Sequence, residues 1–140
     1  MSITSQESID RRLRGKCLCG VVQYDVGDEF RYALNCHCSK CRRATGAAFK
    51  SFAGIERSKL RITQGSDSLM IFGDENAHDV RCNKCGSFLY SVVRYGEYVH
   101  VTLGTLVDAP SIRPTAHIFV GSKAPWHTIT DELPQHAELA

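Results

Sequence analysis

Nothing in this 140-residue chain approaches the roughly 18 consecutive apolar residues that a membrane-spanning helix needs. The polar opening from Met1 to Asp10 also lacks the apolar stretch of a secretory signal, so the expectation is a cytoplasmic protein with no membrane partner. Charge of one sign is missing too: 17 Lys and Arg stand against 15 Asp and Glu, for a formal net charge of +2. The basic clusters Arg11-Arg12-Leu13-Arg14 and Arg42-Arg43 have no aromatics interleaved and read as solvated surface, which argues against a nucleic-acid partner. No apolar stripe of helical period runs beyond about two turns, and there is no internal repeat or low-complexity tract. These absences leave a small β-rich domain, long enough to bury one core.

Short apolar segments with turn residues between them fit that class. Residues 1–14 read as a flexible lead-in and 15–140 as a single domain. Val22, Tyr24 and Val26 alternate with Gln23 and Asp25, the period of a half-buried strand, and Phe30 to Leu34 reads as a second strand. Ser39 to Thr45 can form a short helix stopped by Gly46. Further strands are expected at Ala47–Ala53, Leu60–Thr63, Leu69–Phe72, Val80–Cys82 and Ala116–Val120. A hairpin is expected from Ser87–Val93 and Tyr98–Leu103, with Tyr98, His100 and Thr102 on one face and Val99, Val101 and Leu103 on the other. Trp126, beside Pro125, reads as an anchor for the C-terminal tail.

What is abundant is cysteine, seven in all. In a reducing compartment such a set points to metal ligands or redox groups before disulfides, and the odd count argues against complete pairing. Cys17-Leu18-Cys19-Gly20 and Cys82-Asn83-Lys84-Cys85-Gly86 each place glycine directly after the second thiol, where a metal knuckle needs permissive backbone. Each supplies two ligands, and together they make the four thiolates of a closed, structural zinc site. Cys36-His37-Cys38-Ser39-Lys40-Cys41 offers three thiols and no following glycine. Three protein ligands leave the fourth position of a zinc ion to water or substrate, the arrangement of a catalytic site. Closure of this cluster by His37 or a distant histidine remains an alternative, as does a cluster of metal-free redox thiols. His78, His117, His127 and His136 read as ordinary polar residues, and His100 as a hydrogen-bonded core residue and not a ligand.

The order CxCG, CxCxxC, CxxCG resembles the glutathione-dependent formaldehyde-activating enzyme family, whose domain is shared with centromere protein V. Also similar are Ala44-Thr45-Gly46-Ala47 with Phe49, Cys85-Gly86-Ser87, Gly104-Thr105-Leu106, and Trp126-His127-Thr128-Ile129 followed by Asp131, Leu133 and Pro134. The resemblance implies small coiled antiparallel sheets around zinc knuckles, as in Mss4-like proteins. It implies two zincs per chain: a structural one on Cys17, Cys19, Cys82 and Cys85, and a labile catalytic one on Cys36, Cys38 and Cys41. The implied activity is a carbon–sulfur lyase type that joins formaldehyde to the thiol of glutathione. Arg42, Arg43 and Lys50 are candidates to meet a substrate carboxylate. A non-catalytic zinc scaffold that binds another protein, and a thiol redox sensor that releases zinc on oxidation, are the rival readings.

Overall fold

The computed structural model describes residues 11–139, so the first ten residues of the expected lead-in lie outside the described part. Among the described residues, ten strands form two sheets, accompanied by one short α-helix. The smaller sheet has the order β1-β2-β5, from Arg12–Lys16, Gln23–Gly27 and Leu60–Gln64. The larger has the order β10-β3-β4-β9-β8-β7-β6. Its strands are β3 (Tyr32–Cys36), β4 (Lys50–Glu56), β6 (Leu69–Gly73), β7 (His78–Cys82), β8 (Phe88–Val93), β9 (Tyr98–Thr102) and β10 (His117–Ile118). All strand pairings are antiparallel except the short parallel β10–β3 pair, in keeping with the mostly antiparallel architecture expected. Among the described residues no helix is long and apolar enough to cross a membrane.

The lead-in ends sooner than the sequence suggests. Arg12–Lys16 pairs with β2, because Leu13 is an apolar residue between two arginines and is fully buried in the core. The second expected strand begins two residues later, at Tyr32–Cys36, with Arg31 N–H bonded across to Gly54 C=O of β4 at its entry. Trp126 does not anchor the tail; it is 70% exposed. Backbone bonds do that work, from His117 N–H to Pro134 C=O, Phe119 N–H to Glu138 C=O and Val120 N–H to His136 C=O.

One face of the larger sheet packs on the smaller sheet. Val80, Leu89, Tyr90, Val92, Val99 and Val101 meet Leu13, Val22, Tyr24 and Val26 in the main core. The opposite face carries a polar row set by register. Asp79 pairs with Ser91, Ser91 with His100, His100 with Gly54, and Gly54 with Tyr32, so five strands contribute one residue each. Gly54 is required there: a Cβ at this position would lie 2.3 Å from Cζ of Tyr32, whose ring crosses over it.

Candidate metal centres and the cleft beside them

The structure brings together both cysteine groups that the spacing predicts. Cys17 and Cys19 sit in the turn joining β1 to β2, and Cys82 and Cys85 in the turn joining β7 to β8. Gly20 and Gly86, the residues after each second thiol, share the same left-handed φ of +82°. Backbone N–H groups then turn onto sulfur, Val22 to Cys17 and Lys84 to Cys82, each at 3.3 Å. Ser87 ties the two turns together, its Oγ accepting from Leu18 N–H at 2.8 Å and lying 3.3 Å from Cys85 Sγ. That hydroxyl contact draws the Cys85 thiol down to about 5. Tetrahedral zinc, with sulfurs at about 2.3 Å, places them about 3.8 Å apart. Here Cys17 and Cys19 are 3.6 Å apart and Cys19 and Cys82 3.8 Å, with all four sulfurs within 4.8 Å of one another. The donor set fits a closed zinc site, and because one turn belongs to each sheet, it would join the two sheets.

Cys36 ends β3, Cys38 caps the following helix α1 (Ser39–Thr45), and Cys41 lies in its first turn. The helix has the predicted bounds, stopped by Gly46 at φ +67°. Cys38 Sγ accepts from Cys41 N–H at 3.3 Å, so the helix supplies the N–H···S bond that the outer turns obtain through glycine. The three sulfurs also lie within 4.8 Å of one another, which suits three ligands of one zinc ion. A hydrogen bond with the Cys41 thiol, aided by the Lys50 ammonium, lowers Cys36 to about 6, while the same bond and burial raise Cys41.

His37 does not close this cluster. It is fully buried with its ring turned the other way, Nε2 lying 2.8 Å from Nδ1 of His117. Nε2 of His117 is in turn 3.0 Å from the Asp131 carboxylate. A carboxylate only accepts, so with both rings neutral each Nε2 donates and His37 Nδ1 is left as an acceptor, buried and without a partner. His117 is therefore no ordinary polar residue; it is buried between two partners because β10 pairs with β3. The sequence signal available was the pair of residues flanking it, Ala116 and Ile118, both apolar and both buried.

Of the three basic candidates, Lys50 is the one the fold places at the open cluster. It is the cross-strand partner of Cys36 and is buried, its ammonium 4.2 Å from the Phe88 ring centre. Nζ donates to Ser91 Oγ at 3.2 Å, which donates to Asp79 Oδ1 at 2.8 Å. Burial lowers its pKa, and the Cys41, Asp79 and Cys36 charges oppose that. Arg42 and Arg43 lie on α1; Arg43 lines a depression with Met70 and Arg81, apart from the sulfurs. Two clefts meet at Cys41, Lys50, Val93 and His100. One, of about 420 Å³, runs past Lys40, Phe72 and Asp79; the other, of about 530 Å³, holds both Cys36 and Cys41 and is walled by Tyr32, Phe52, Ile118 and Phe119.

His100 is hydrogen-bonded as expected, its Nε2 lying 2.8 Å from the Tyr32 hydroxyl, but it faces this cleft and not the core. Burial, with the Lys50 and Arg94 charges, lowers its pKa to about 4, and burial does the same for His37. Both histidines are thus neutral in the fold, while an unfolded histidine protonates near 6.5. Their contribution is complete above about pH 6.5 and is lost as pH falls toward about 4. Denaturation midpoints should therefore drop between pH 7 and pH 4.5, with a shallower drop in His100→Asn. An unchanged slope in that variant would show that His100 is charged in the native state.

Small sheets tied by two thiol turns, with a second thiol cluster on the outer face, define the Mss4-like class of β protein. The chain belongs to the glutathione-dependent formaldehyde-activating enzyme family, whose profile matches residues 12–122. A Podospora anserina protein named "Putative glutathione-dependent formaldehyde-activating enzyme" is 35% identical over 98 residues, 63% of this chain and 46% of that protein. A Fusarium vanettenii protein of the same name is 33% identical over 81 residues, 56% of this chain and 43% of the relative. The chain thus spans about half the length of the curated relatives it matches. A crystal structure of a Rhodobacter sphaeroides protein, a structural-genomics target, aligns at a TM-score of 0.57 with 28% identity, covering 70% of this chain and 91% of that one.

Proposed function

We propose that the protein is a zinc-dependent enzyme of the carbon–sulfur lyase type, making or breaking the bond between a thiol sulfur and the carbon of a small aldehyde. The observation that carries this reading is the contrast between the two thiol groups: one gathers four sulfurs, enough donors for a tetrahedral ion, while Cys36, Cys38 and Cys41 are one donor short and two of them, Cys36 and Cys41, line a cleft. Cys36, Cys38 and Cys41 would hold the catalytic zinc, and Cys17, Cys19, Cys82 and Cys85 the structural one. Zinc bound at the open set lowers the pKa of a thiol and polarises a carbonyl oxygen.

In the forward direction the thiol sulfur forms a bond to the aldehyde carbon. The carbonyl π pair moves to oxygen, which takes up the proton the thiol gave; nothing is oxidised or reduced. Lys50 suits the developing alkoxide. One N–H of its ammonium is committed to Ser91, leaving the others to the cleft, and the Phe88 and Phe52 rings shield it from water. The names of the relatives support formaldehyde as the aldehyde and a carboxylate-bearing thiol, glutathione in those names, as its partner. The test is NMR exchange between formaldehyde and thiol adducts with zinc-replete protein: accelerated exchange is expected, and rates equal to the protein-free control across a panel of thiols would favour the non-catalytic scaffold.

A further inference from the structure

We infer that the cleft walled by Tyr32, Phe52, Ile118 and Phe119 selects a thiol with an apolar, aromatic-sized body and a single carboxylate, read by Arg94. The inference rests on the reading of Cys36, Cys38 and Cys41 as an open site, and narrows which thiol that site takes.

Strain is concentrated at this cleft. Among the described residues three non-glycine positions have left-handed φ, namely Arg94 (+54°), Tyr95 (+57°) and Phe119 (+56°). Arg94 and Phe119 line the cleft, and Tyr95 adjoins Arg94 in sequence. Bulky side chains in this region are outliers, kept where surrounding structure holds them. Arg94 and Tyr95 are the central pair of the β8–β9 turn, closed by Gly96 N–H to Val93 C=O at 3.1 Å; turns of this kind favour Asn and Gly at those places. The turn and two rings hold the guanidinium, its carbon 4.5 Å from the Tyr98 ring centre and 5.3 Å from that of Tyr32. Tyr32 and Tyr98 are themselves stacked, 6.3 Å apart and 3° from parallel.

Charge completes the argument. The lining contains Lys50, whose ammonium is bonded to Ser91, and Arg94, which has no carboxylate partner among the described residues; it contains no acidic residue. A planar guanidinium recognises a carboxylate through two parallel hydrogen bonds. Glutathione carries two carboxylates and an ammonium, and this cleft offers its ammonium no counter-charge. The second cleft has Asp79 but only one of the three thiols, Cys41. About 530 Å³ lies within the range of small-molecule sites, and aromatic walls favour an apolar ligand body.

The experiment is titration calorimetry on zinc-replete protein with 4-(mercaptomethyl)benzoate, its neutral analogue 4-methylbenzyl thiol, glutathione and 2-mercaptoethanol. The benzoate thiol is expected to bind at least tenfold more tightly than glutathione and about tenfold more tightly than the neutral analogue. Arg94→Gln should remove about tenfold from the benzoate thiol and leave the neutral analogue within twofold. Glutathione binding as tightly as the benzoate thiol, or equal binding of charged and neutral thiols by the unmodified protein, overturns the inference while leaving the open-site reading intact. Failure of every thiol, 2-mercaptoethanol included, removes the open-site reading and this inference with it.

Discussion

Replacing Cys82 by serine should abolish cooperative folding. The two sheets meet through one apolar core, the paired thiols lie in two short turns, one from each sheet, and Cys82 is buried where β7 enters its turn. Serine leaves an open coordination position and a hard oxygen donor among soft sulfurs. Apparent binding energies of structural zinc reach about 10–16 kcal/mol, comparable to or larger than the whole stability of a typical domain, about 5–15 kcal/mol. Far-UV circular dichroism should show lost strand signal, the thermal transition should vanish or broaden, and zinc per chain should fall from two to no more than one. A cooperative melt near the wild-type temperature would mean that the apolar core alone suffices.

Cys38→Ser should behave in the opposite way, keeping the fold and losing the chemistry. Cys38 is the N-cap of α1, and serine is among the best N-caps, so the helix retains its start. The residues around this cluster form a small satellite core of Cys36, Phe52 and Ile118, separate from the main one. The melting temperature should remain within about 5 °C of wild type. Lewis-acid assistance contributes several kcal/mol to a transition state, so adduct exchange should slow by about a thousandfold, and one of two zincs should be lost. If this variant unfolds as thoroughly as Cys82→Ser, the division into closed and open sets is wrong.

The gathering of Cys17, Cys19, Cys82 and Cys85 was legible because its demands are local: two thiols and a glycine in each short turn, and both glycines adopt the left-handed backbone that the spacing implies. Helix α1 was legible for the same reason, with Gly46 marking its end. The cleft was not. Period-2 alternation placed His100 on a face opposite Val99 and Val101, yet it cannot say which strands lie beside β9. Register alone brings Asp79, Ser91, His100, Gly54 and Tyr32 into one row, across separations of up to 46 residues between paired positions. Ser91, a polar residue inside the apolar run Phe88–Val93, was the readable hint. The charge of Lys50 makes it a candidate carboxylate partner from sequence alone, but its place beside the cluster depends on pairing with Cys36 and on Ser91 from a strand far along the chain. His117 was misjudged because its two partners, His37 and Asp131, come from opposite ends of the domain.

The two thiol groups also differ in how much chain must be gathered before they exist. Cys36, Cys38 and Cys41 are neighbours in a nascent chain, whereas the closed site must bring residues 63 apart, Cys19 and Cys82, into contact. Closing a loop about thirteen times longer than the Cys36–Cys41 span costs roughly 2 kcal/mol more in chain entropy. With zinc placed as proposed, the first ion to meet the unfolded protein would be captured at the three-cysteine cluster, and the four-sulfur site would form only after the strands have been drawn together. Refolding at one equivalent of zinc should accordingly be slower than at two, and faster once Cys38 is serine. On that placement, the cluster proposed for chemistry would compete for metal with the one proposed to hold the sheets.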